Sequence, residues 1–113
     1  MQSVGVRMIE RTLQAALQRI ADEYPVVTLT GPRQSGKTTL VRAAFPDASY
    51  ASLEDPDVRS FAREDPRGFL DQFAETVVLD EVQRVPDLFS YIQTRVDEDD
   101  AAGRFILSGS QNF

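Results

Sequence analysis

The sequence contains no cysteine and no histidine. Disulfide frameworks, Cys/His zinc sites, Ser-His-Asp triads and Cys-His dyads are therefore closed to it, and any general base must be a carboxylate. No apolar run approaches the ~20 residues that a membrane span needs, and the first ten residues carry Arg7 and Glu10 where a secretory leader requires unbroken apolar sequence. The expected location is cytoplasmic. Positive charge is in deficit: the net charge is -6, and Asp97, Glu98, Asp99 and Asp100 form an acidic run whose plain reading is a solvated helix end. A chain of this charge is not built to lie along nucleic acid by electrostatics alone. Lysine is nearly missing as well, since Lys37 is the sole lysine among 12 basic residues. A compact ammonium there is not interchangeable with a planar guanidinium.

What is present reads as an ordinary globular composition, with 42% hydrophobic and 27% charged residues. The length of 113 residues suits one compact domain, 1–113, around one core. Ile9, Leu13, Ala16, Leu17 and Ile20 recur at helical spacing and predict an amphipathic helix over residues 8 to about 22. Val26 to Thr30 is a β-branched run ending in Gly31-Pro32, the pattern of a buried strand and a turn. A helix is expected over Lys37 to Ala44 and a strand over Ser49 to Leu53. Two short helices follow, Pro56 to Glu64 and Pro66 to Phe73, with Asp55 and Asp65 as caps ahead of a first-turn proline. Thr76 to Leu79 predicts a strand ending in Asp80-Glu81, Pro86 onward a helix through Leu88, Phe89, Ile92 and Val96, and Arg104 to Leu107 a last strand ending in Ser108-Gly109-Ser110. Strands separated by helices imply parallel pairing with helical crossovers, an α/β sandwich.

Gly31-Pro32-Arg33-Gln34-Ser35-Gly36-Lys37-Thr38 fits the pattern G-x-x-x-x-G-K-[ST] without a mismatch, between a predicted strand and a predicted helix. The glycines allow successive N–H groups to turn inward, and the following helix adds its unpaired donors and positive dipole end. The expected ligand is ATP, held by Gly31 to Thr39, with Lys37 on the β- and γ-phosphates and Thr38 on Mg²⁺. Asp80, at the tip of a buried parallel strand, is expected to orient the metal, directly or through water. Glu81, the next residue and pointing elsewhere, is placed to accept a proton from an attacking water. The last strand should lie between the other two, so Ser110, Ser108 or Gln111 could face the γ-phosphate; a bare Ser-Gly turn is the competing reading. Gln83 and Arg84 are candidates for reading the nucleotide state, or simply for a solvated loop.

The strings LTGPRQSGKTTLVR, YASLEDPDVRSFAREDPRGFL, VVLDEVQRVPDLFSYIQ and GRFILSGSQNF together resemble the N-terminal core of a family of prokaryotic AAA-type ATPases. The resemblance runs from about Val6 to Phe113. It implies a P-loop NTPase three-layer sandwich with a parallel sheet in strand order 2-3-4-1-5, truncated here after the fourth core strand. It also implies ATP and Mg²⁺ as ligands, Lys37 and Thr38 in the phosphate loop, Asp80 and Glu81 as the metal and catalytic pair, and a polar sensor near Ser110. Relatives continue into a fifth strand, a helical lid, a second sensor, an arginine finger and a C-terminal domain. A homo-oligomer or such a missing domain is the expected partner, and the first strand's edge is expected either to be left bare by truncation or to be covered by the N-terminal helix or another subunit.

Three functions remain: Mg-dependent ATP hydrolysis in the complete protein, a nucleotide-binding module with negligible turnover, and a small-molecule kinase. The kinase is disfavoured because no Arg-rich lid segment is present. A GTPase is set aside, because guanine recognition through Asn-Lys-x-Asp needs a lysine and the only one sits in the phosphate loop; Gln83 also stands where a GTPase switch requires glycine.

Overall fold

The computed structural model describes residues 4–32, 36–101 and 103–110, with side chains from residue 11 onward. Arg33, Gln34 and Ser35 of the phosphate loop, and Gln111, lie outside the described residues. The elements in order are α1 (Val4–Glu23), β1 (Val26–Thr30), α2 (Lys37–Ala44), β2 (Ser49–Ser52), α3 (Pro56–Glu64), α4 (Pro66–Asp71), β3 (Val77–Asp80), α5 (Leu88–Glu98) and β4 (Phe105–Gly109), with a 3-10 turn at Val82–Arg84 between β3 and α5. All strand pairings are parallel and the order is β1-β4-β3-β2. The last strand therefore lies between β1 and β3, as expected.

Strand alternation sorts the core into two sheets of contacts. Val77, Leu79, Phe105 and Leu107 point to one face, where they meet Leu53, Ala62, Phe69, Leu70, Leu88 and Ile92 of the α3–α5 side. Val78 and Ile106 point to the other, against Leu17 and Ala21 of α1 and Val41 and Ala44 of α2, with Val27 of β1. Helices on both faces of a parallel sheet make a three-layer α/β sandwich. By the same alternation, Tyr50, Asp80 and Ser108 fall on the α2 face.

Both short helices start as their sequences require. Asp55 accepts from Asp57 N at 2.9 Å and Asp65 from Gly68 N at 3.0 Å, each with proline in the first turn. Elsewhere the boundaries move. Asp80 is the last residue of β3 because its ladder with β2 runs to Ser52, and β4 runs on to Gly109 because it pairs with Thr30. The helix expected from Pro86 begins at Leu88, and the 3-10 turn was not foreseen.

The buried side of α1 differs from its apolar stripe. Leu17 and Ala21 are buried, whereas Leu13 and Ile20 are 46% and 43% exposed. The helix crosses the sheet face against α2, which selects the Leu17–Ala21 line. This placement also corrects the expectation that α1 covers the edge of β1: among the described residues β1 pairs only with β4, and Thr28 and Thr30 are exposed.

Candidate functional site

The expected phosphate loop leaves β1 at Gly31, whose N–H bonds to Gly109 O at 3.3 Å, so the loop starts beside the tip of β4. It returns at Gly36, which sits in the left-handed region at φ 83 with nothing within 4 Å of where a Cβ would stand. A β-carbon is therefore disfavoured by backbone conformation rather than by space. Gly36 is also the N-cap of α2 and offers no side-chain acceptor. In contrast to α3 and α4, the first N–H groups of α2 have no capping side chain among the described residues, and these are the donors that an anion satisfies.

Lys37 opens α2 and is buried, at 8% exposure. Among the described residues its ammonium has the Pro32 carbonyl as partner, at 3.3 Å, and no carboxylate pairs with it. A three-donor cation that far from water and so thinly satisfied is fitted to a ligand with negative oxygens.

One turn further, the Thr38 hydroxyl donates to Asp80 Oδ2 at 2.8 Å. Tyr50 from β2 donates its phenol to the same Oδ2 at 2.9 Å. Ser108 from β4, fully buried, donates to Oδ1 at 2.7 Å, and the Glu81 backbone N–H to Oδ1 at 2.9 Å. Burial raises the Asp80 carboxyl pKa, but the donors Ser108, Thr38, Tyr50 and Glu81 N–H outweigh it and hold it below the usual carboxylate value. The Tyr50 phenol is pushed up to about 12, first by burial and then by the Asp80 carboxylate it donates to. Arg42 stacks over the Tyr50 ring at 4.4 Å.

Glu81 turns away from this cluster. Its backbone is the one non-glycine residue at positive φ among those described, φ 55 and ψ 43, and the 3-10 turn follows directly. Its Oε2 accepts from Ser110 Oγ at 2.9 Å and from Gln83 Nε2 at 2.5 Å, and Gln83 Nε2 also lies 3.3 Å from Ser110 Oγ. The carboxylate fixes the amide's orientation, because the reverse would set Gln83 Oε1 against Glu81; Oε1 is left buried without a partner.

The structure thus brings Thr38, Asp80 and Ser108 together, and separately Glu81 and Ser110. Ser108 is spent on Asp80 rather than aimed at a ligand. Arg84 lies 3.8 Å from Glu54 and its carbonyl accepts from Arg63. Tyr50 is the participant that sequence reading missed; its signal was the β2 alternation that puts it on the same face as Asp80, legible only once the register is known. A hard divalent cation fits the donor chemistry, since a hydroxyl and a carboxylate meet where phosphate oxygens would complete the shell. Among the described residues no group of three or more acidic side chains forms a cage. A groove of about 740 Å³ lined by Arg67, Asp71, Tyr91 and Arg95 lies between α4 and α5, on the other sheet face from Asp80.

Among the described residues no helix is long and apolar enough to cross a membrane. Residues 23–113 match a family model described as an AAA domain. Uncharacterized proteins of Mycobacterium tuberculosis and Mycobacterium bovis are each 38% identical over 111 residues, 95% of this chain and 25% of theirs. The chain thus spans a quarter of the length of these curated relatives. Among solved structures, domain III of the Thermotoga maritima replication initiation protein DnaA superposes with a TM-score of 0.59 at 17% identity, covering 98% of this chain and 53% of that one. A DNA replication initiation factor gives 0.57 at 19% identity, over 99% of this chain and 40% of that one. At such identity these two show the fold alone. With sheet order, phosphate-loop sequence and family match in agreement, the chain belongs to the AAA domain family, as an AAA-type P-loop ATPase domain with the nucleotide-binding capacity which that family implies.

Proposed function

We propose that the chain binds ATP with Mg²⁺ on Gly31 to Thr39 and that the complete protein hydrolyses it. The observation that carries this reading is the pairing of a buried, thinly partnered Lys37 ammonium with a Thr38 hydroxyl already bonded to Asp80 at 2.8 Å. Arg33, Gln34, Ser35 and Gly36 supply main-chain donors, Gly31 and Pro32 set the entry to the loop, with the Gly31 N–H on Gly109 O and no N–H on Pro32, Lys37 pairs with the β- and γ-phosphates, and Thr39 adds to the helix-start donors. Thr38 and Asp80 hold the cation, which when bound neutralises charge on the phosphate oxygens. Glu81 accepts the proton of the attacking water. Among the described residues both donors to Glu81 meet Oε2, which leaves Oε1 for that proton. Ser110 orients Glu81 and stands at the β4 tip, where a phosphate sensor belongs.

The same contacts favour a second reading, an ATP-binding module with negligible turnover, because Gln83 and Ser110 hold the carboxylate in place and it must come free of them to turn toward a water. Steady-state phosphate release with and without Glu81→Gln separates the two. Under the hydrolytic reading the variant keeps its ATP affinity and loses phosphate release; equal residual release in both proteins removes Glu81 from the mechanism. An oligomer supplying an arginine across a subunit boundary accords with the family, and that residue alone is worth about 10³ to 10⁵ in rate. The net charge of -6 weighs against DNA as a direct partner of this domain.

A further inference from the structure

The Asp80 carboxylate is saturated. Two oxygens offer about four lone-pair sites, and four donors fill them: Thr38 Oγ1 and Tyr50 Oη on Oδ2, Ser108 Oγ and Glu81 N–H on Oδ1. If Asp80 orients a hydrated cation, whether by a direct bond or through a water proton, one donor must give up its place. Three of them are poorly placed to do so. Glu81 N–H is main chain at the entry to the 3-10 turn. Ser108 is fully buried, with no route to solvent. Thr38 can keep its proton on Asp80 while its oxygen lone pairs face a cation, so it has nothing to yield. Tyr50 differs, being only partly buried and carried on the outer strand β2. Its ring is also held independently by the Arg42 guanidinium at 4.4 Å, so the O–H proton can rotate off Asp80 while the ring keeps its seat.

We propose that Tyr50 is a displaceable positioning residue: its phenol fills the last acceptor site of Asp80 in the metal-free chain and competes with the cation for it. The proposal rests on the reading of Thr38 and Asp80 as the metal pair. Tyr50 lies outside the phosphate loop and the acidic pair, and its hydroxyl raises the Mg²⁺ concentration needed to fill the site.

The test is a Mg²⁺ titration of ATP binding by calorimetry, on the wild type and Tyr50→Phe, which keeps the ring and its stack and removes only the hydroxyl. The Mg²⁺ concentration at half-saturation should fall about three- to tenfold in the variant, the span of one net hydrogen bond. An unchanged or higher Mg²⁺ requirement overturns the proposal. A wild type that binds ATP at no Mg²⁺ concentration overturns the nucleotide-binding reading itself, so the two failures are distinct. In case the variant folds poorly, wild-type protein carrying ¹³C at the tyrosine ζ-carbon supplies a second readout. Adding Mg²⁺ with a non-hydrolysable ATP analogue should shift the Tyr50 resonance, whereas the analogue with EDTA should not; identical spectra would count against displacement.

Discussion

Lys37→Met tests the reading at its electrostatic centre. The substitution keeps an unbranched side chain in the space of the lysine stem and removes the charge. Lys37 is 8% exposed, and the partner of its ammonium among the described residues is one neutral carbonyl at 3.3 Å. A buried charge without a counter-ion contributes little to folding and carries a desolvation penalty. The variant should therefore melt no lower than the wild type. Binding should behave in the opposite way. A unit charge about 4 Å from a phosphate contributes about 4 kcal/mol at an effective dielectric of 20, and part of this offsets the ammonium's lost solvation. A net loss of about 1.4 to 4 kcal/mol corresponds to a tenfold to roughly thousandfold weaker ATP·Mg²⁺ complex. Calorimetric titration and thermal melting of the same preparation read both quantities. Unchanged affinity would place the nucleotide elsewhere, and a lowered melting temperature would make Lys37 a structural residue.

Ser108→Ala removes a buried donor from an ionised acceptor, so the unliganded protein should lose about 1.5 to 3 kcal/mol in a denaturant melt, while an unaffected midpoint would mean that Asp80 does not depend on β4. Gly36→Ala adds a β-carbon at φ 83 with no steric neighbour within 4 Å, so the expected loss is the left-handed penalty of about 1 to 2 kcal/mol together with weaker ATP binding; a variant equal to the wild type in both would show that the loop does not need this conformation.

Features set by neighbours in the chain were legible before any coordinates. Asp55-Pro56 and Asp65-Pro66 announce helix starts because the cap carboxylate and the N–H donor it accepts from are two or three residues apart. The same locality made Val26 to Thr30 and Lys37 to Ala44 readable to the residue. Parallel order followed from helices alternating with strands. The buried side of α1 was not legible, because Leu13 and Leu17 are equally apolar in sequence and only the crossing of the helix over α2 buries one and exposes the other. Nor was the 3-10 turn, which follows a strained Glu81 held by Gln83 and Ser110.

The order of residues alone specified a phosphate loop, an acidic strand end and the alternation that makes a parallel sheet, because each is written in types and spacings over a few positions. Tertiary structure decided which side chains meet at Asp80. Thr38, Tyr50 and Ser108 lie 42, 30 and 28 positions from it, and they converge only because β2, β3 and β4 pair in one register. A slip of one residue in β2 or β4 would turn Tyr50 or Ser108 to the opposite face of the sheet.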